Sequence, residues 1–145
     1  MKKKILILLV VLVPMFANAQ VWFTAVSMAI DNFDGVKQEW EGWRDCNIRI
    51  CVEKYSVKIL GDGNEPGVFI GVEGGFKELP KDSDGNLIFS MDCVDVLGQK
   101  PVIDLIISPY SHKPSFMVIS YENFLGREEK FAILYAIKFS NEREN

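Results

Sequence analysis

Eight short runs of β-prone residues, separated at close intervals by turn residues, constrain this chain more than any other feature. They fall at 21–30, 47–54, 56–60, 68–73, 86–94, 101–108, 115–121 and 131–139. Valine, isoleucine, phenylalanine and tyrosine recur within the runs, and such residues favour the pleated, half-buried surface of a sheet. Between them stand Gly61, Asp62, Gly63, Asn64, Pro66 and Gly67, then Asp84, Gly85 and Asn86, then Gly98 and Gly126. Glycine and asparagine supply the backbone angles that tight connections require. Connections this short join antiparallel neighbours, because a parallel crossover takes a dozen or more residues. The expectation is an all-β fold: an antiparallel meander of about eight strands that closes into a small barrel, with a two-sheet sandwich as the alternative. Closure removes the edges that so many apolar strands would otherwise expose.

The face pattern refines this expectation. Ile48, Ile50 and Val52 alternate with Arg49, Cys51 and Glu53, which describes a strand with one buried and one wet face. The last run differs, because Ile133, Tyr135 and Ile137 share one side while Ala132, Leu134 and Ala136 share the other. Both sides of that strand are apolar, so its outer face needs a cover. The segment 35–45 is the candidate for a short helix or lid: Val36, Trp40 and Trp43 fall at i, i+4 and i+7 among charged residues, with Asp34 as a cap.

Ahead of the strands lie Met1, three lysines, the apolar run 5–13 and Ala17-Asn18-Ala19. A charged start, a short apolar stretch and small residues at the cleavage positions form an export signal. The expected organisation is a cleaved leader at 1–19 and one β domain at 20–145, placed in the periplasm or outside the cell, with no membrane span once the leader is removed. The leader takes three of the sixteen basic residues and none of the twenty acidic ones, leaving 13 against 20 and a net charge of −7. A chain this acidic lacks the basic face by which proteins track nucleic-acid phosphates.

Three cysteines follow the leader: Cys46, Cys51 and Cys93. In an oxidising compartment one bridge and one spare thiol are expected. Strand parity turns Cys93 toward the apolar side and Cys51 toward the polar side, which makes Cys46 with Cys93 the preferred pair. The alternative leaves all three reduced.

Chemistry-bearing constellations are sparse. The sole histidine, His112, lies in a loop with Tyr110 and Ser111. One histidine and no Cys-x-x-Cys motif supply too few soft ligands for zinc. The stretch from Asp82 to Asn86 imitates a calcium loop, but Leu87 and Cys93 occupy the positions where an EF-hand needs Gly and Glu. No cofactor or metal is therefore expected. Asp92, Asp95 and Asp104 come from neighbouring strands and offer a carboxylate pair for hydrolysis if they face one cleft.

The aromatic residues Trp22, Trp40 and Trp43, with the loop residues Tyr110 and His112, are the candidate binding surface, since exposed aromatic rings anchor sugars, apolar ligands and protein partners. The functional expectation is a non-catalytic binding protein for a small apolar or sugar ligand or for a secreted protein. The alternatives are an inhibitor of a secreted protease and a small hydrolase.

The export signal, aromatic segment and succession of antiparallel strands look like the small secreted barrels of the lipocalin-like kind. The resemblance is one of architecture. It implies a barrel, while the Gly-x-Trp signature of lipocalins is absent because Gly42 is followed directly by Trp43.

Overall fold

The computed structural model describes residues 20–33, 41–61, 67–122 and 130–140. Nine strands carry the fold: β1 (Val21–Phe33), β2 (Glu41–Val52), β3 (Ser56–Leu60), β4 (Gly67–Gly71), β5 (Lys77–Leu79), β6 (Leu87–Val94), β7 (Val102–Ile107), β8 (Pro114–Tyr121) and β9 (Lys130–Phe139). They pair antiparallel in the order β4-β3-β2-β1-β9-β8-β7-β6-β5. The sheet then closes on itself where Ile70 and Gly71 of β4 pair with Val94 and Cys93 of β6. The result is a closed eight-stranded antiparallel barrel with β5 as an extra strand, not a sandwich.

The extra strand has a simple origin. β5 lies along the same edge of β6 as β4, pairing from Lys77↔Ser90 to Leu79↔Ile88. Thus β4 and β5 are two pieces of one wall, interrupted by residues 72–76. Glycine is needed at this interruption, because a Cβ on Gly75 would stand 2.4 Å from the Lys54 carbonyl oxygen. Beyond it Phe76 is buried in the core.

Alternation along the strands fills the interior. Phe23, Ile50, Val52, Val57, Met91, Ile103, Leu105, Ile107, Met117 and Ile119 are all nearly inaccessible. Phe69, Phe76, Phe89 and Tyr135 join the same cluster. An eight-stranded barrel is just wide enough for side chains to fill, and large apolar residues fill this one. Arg49, Lys58, Asp92 and Lys138 are exposed on the outside.

The helix expected at 35–45 is corrected where the structure describes it. Residues 41–45 belong to β2, paired with an extension of β1 through Ser27↔Asp45, Met28↔Arg44 and Ile30↔Glu41. The long partner strand offers a ladder to this segment, and that tertiary pairing overrides the helical spacing of the tryptophans. The rest of the segment, including Trp40, and the leader at 1–19 lie outside the described residues. The need for cover over the last strand is real: Ala132 and Leu134 on the outer face of β9, and Ala29 beside them on β1, are all buried.

Candidate functional site

The outward aromatic surface is built across four strands. In the ladder Phe116 of β8 pairs with Ala136, Ala136 with Ser27 and Ser27 with Asp45 of β2. Trp43 stands two residues from Asp45 on the same face. The residues between the two aromatic rings are small, which leaves space above the sheet for the rings to meet, 6.3 Å apart and tilted by 49°. Even so, Trp43 remains 50% exposed and Phe116 37%. Against β9, β1 carries a bulge between Ala25 and Ser27, and Val26, the extra residue with no partner in that ladder, is exposed nearby.

The sequence-predicted residues are divided. Trp43 reaches β8 only three residues beyond Lys113, beside the loop that carries Tyr110 and His112. In that loop the Tyr110 N–H donates to Ser108 Oγ at 3.1 Å, and the His112 N–H donates to the Ser108 carbonyl at 3.0 Å. His112 adopts φ 56°, a left-handed conformation that histidine tolerates better than most residues. Tyr110 is 91% exposed. Trp22 belongs elsewhere. It lies five positions before Ser27, roughly 17 Å along the strand at the usual rise, and the Arg49 guanidinium stacks 4.6 Å from its ring centroid. Sequence reasoning did not single out Phe116. Its signal was parity, since Met117 and Ile119 face inward and a large ring at 116 must then face out.

The three thiols are free, and the Cys46–Cys93 bridge expected from the sequence is not formed. The Cys46 S–H donates to the Ala25 carbonyl and that of Cys93 to the Met91 carbonyl. Burial, with Asp92 adding to it, pushes the Cys93 thiol up to about 12. Cys51 does face outward, yet it is buried between its ladder partners Trp22 and Lys58.

The carboxylates have separate duties. Asp95 holds the β6–β7 turn: its Oδ1 accepts from the N–H groups of Leu97 and Gln99, at 3.0 and 2.9 Å, while Oδ2 accepts the Tyr121 hydroxyl at 3.2 Å. Asp104 points outward between inward Ile103 and Leu105 and lines a groove of about 710 Å3 with Lys100, Val102, Ser120 and Glu122. Its Oδ1 is buried without a hydrogen-bond partner. Burial therefore holds its carboxyl above the ordinary range, with Asp92 adding to the shift and Ser90 opposing it. Among the described residues no group of three His, Cys, Asp or Glu side chains is arranged to hold a metal ion. Comparison with family models, curated proteins and solved structures finds no match.

Proposed function

We propose that this chain is an exported, non-catalytic binding protein that engages a protein partner through the outer face around Trp43 and Phe116. The observation that carries the reading is the ring pair itself: two large aromatic side chains held together across four strands and left half in water. Aromatic residues at the centre of a patch are the usual anchors of protein interfaces, and an exposed apolar cluster on a barrel with a full core has no packing duty to explain it. The loop with Tyr110 and His112 flanks the same face and extends it. A small ligand held inside the barrel has little support, because large side chains occupy the interior. Inhibition of a secreted enzyme is one form that binding to a protein can take.

The test compares the native chain with the double variant Trp43→Ala, Phe116→Ala, both recovered from the export compartment after mild crosslinking. The expected result is a partner retained by the native chain and lost by a variant that still melts cooperatively near the native temperature. A variant that collapses, or that retains the same partner, contradicts the reading.

A further inference from the structure

Asp104 is a polar group for which the fold supplies no duty. It occupies an outward position of β7, paired with Ser90 of β6 on one side and Val118 of β8 on the other. Ser90 hydrogen-bonds to the carboxyl, yet Oδ1 meets neither a donor nor water. An acceptor left in that condition costs stability, and the cost is larger for a group that carries charge. A titratable group that weakens its own fold and stands in a cleft marks a candidate ligand site.

The cleft is the groove of about 710 Å3 on the β8 side of Asp104, bounded by Gln99 and Lys100 of the β6–β7 turn and by Ser120 and Glu122. Its size is that of a small-ligand site. Val102 supplies an apolar stretch of wall, and the broad terminal torsion of aspartate lets the carboxyl present either oxygen to the groove. The charges decide what can enter. Two carboxylates, Asp104 and Glu122, line the groove with one ammonium, that of Lys100. Asp92, whose ladder partner is Val102, adds a further negative charge close to Asp104. Lys100 does not serve Oδ1, which has no partner. An anion would be repelled by all three carboxylates, and a neutral ligand would leave the Asp104 charge unmatched. A cation with N–H groups supplies both the missing donor and the missing charge.

We propose that the groove beside Asp104 binds a small organic cation, an alkylammonium or alkylguanidinium group that donates to the Asp104 carboxylate while its stem lies against Val102. The charge pair fixes the head of the ligand, and the apolar wall favours a stem of a few carbons. The site is separate from the aromatic face. Ser120 stands four residues from Phe116 on β8, roughly 13 Å at the usual rise, so the inference holds whether or not the rings of Trp43 and Phe116 meet a partner.

The test is an amide NMR titration of the folded chain with butylguanidinium, using butylurea as a neutral control of the same shape. The expected result is a saturable set of shifts confined to residues 98–104 and 118–122, with an affinity on the order of millimolar and at least about tenfold weaker binding of butylurea. Asp104→Asn keeps the shape of the side chain and removes its charge. It abolishes binding, while the variant melts no lower than the native chain at neutral pH, so the loss is not one of folding. Lys100→Gln removes the competing ammonium and tightens binding. Absence of saturable shifts up to about a hundred times that concentration overturns the proposal, as do equal affinities for the two compounds or unchanged binding by Asp104→Asn. The double variant Trp43→Ala, Phe116→Ala separates this site from the aromatic face, where a guanidinium could also stack on a ring. Binding that persists in this variant supports the groove, and binding lost from it while the chain stays folded assigns the cation to the rings and overturns the proposal.

Discussion

Trp43 of β2 and Phe116 of β8 meet with ring centroids 6.3 Å apart although β1 and β9 lie between their strands. The contact depends on Ser27 and Ala136, the small residues in the intervening ladder positions. A larger side chain at either position would lift the rings apart. The pair thus forms a broad aromatic surface on a barrel whose interior needs neither ring.

That independence from the core predicts a mild cost of truncation. Trp43→Ala and Phe116→Ala should each cost under about 1 kcal/mol, against about 3–5 kcal/mol for a buried aromatic residue such as Phe89. A double-mutant cycle should return a coupling of about 0.5 kcal/mol, the low end for aromatic pairs. Urea unfolding of the four proteins of the cycle, with Phe89→Ala as a fifth, measures all of these.

Asp95 should matter far more than its position in a turn implies. Its carboxylate accepts from two backbone N–H groups and the Tyr121 hydroxyl, so Asp95→Ala removes the acceptor of all three bonds at once. The expected loss is about 1–3 kcal/mol, with Tyr121→Phe costing about 1 kcal/mol. Equal, negligible effects in chemical denaturation would show that the turn is held by other contacts.

Two carboxylates should give stability opposite dependences on pH. The Asp104 carboxyl is raised by burial and by Asp92, so the folded state keeps its proton longer than the unfolded chain. Its contribution is fully present below the ordinary carboxylate range and is lost as pH rises through the raised value. Asp104→Asn should therefore raise the melting temperature at neutral pH and leave it unchanged near pH ~3. Asp82 is only partly buried, and its hydrogen bonds with Asn86, from side chain and backbone, hold its carboxyl below the ordinary value. Its contribution is present above the ordinary range and fades as pH falls, so Asp82→Asn should lower the melting temperature at neutral pH only.

Thiol accessibility supplies a further check. Cys51 and Cys93 are buried and Cys46 is only partly so, and burial raises all three thiols. Maleimide labelling of the native chain, followed by peptide mapping, should modify Cys46 first and Cys93 last. Prior labelling of Cys93 would contradict its place in the core.

Much of this barrel was legible in the sequence because its strands alternate cleanly. The run 56–60 coincides with β3, and six of the other seven runs differ from their strands only at the ends. The exception among them is β2, where the span of Trp40, Trp43 and Val36 imitates a helical period while the deciding force, pairing with the far end of β1, is not local. β5 went unseen for another reason: its three residues are all exposed, so no buried face marks them. Trp43, Tyr110 and His112 could be named as candidates from residue type and loop position, while the outward, half-exposed placement of Trp43 could not be read from a segment with helical spacing. Phe116 was not identified as their companion, because the stagger of a closed barrel decides which residues of β2 and β8 come together. The burial of Asp104 on an outward face was likewise hidden, since parity gives direction but not accessibility.

The most direct measurement places a photo-crosslinking amino acid at position 43, with a control at position 58 on the outer side of β3, and irradiates cells that produce the protein. The account predicts one defined protein adduct from position 43, absent from position 58 and lost when Phe116→Ala is added. Adducts of equal yield from both positions, or none from position 43 in a folded chain, would contradict the claim that this aromatic face is where the barrel meets its partner.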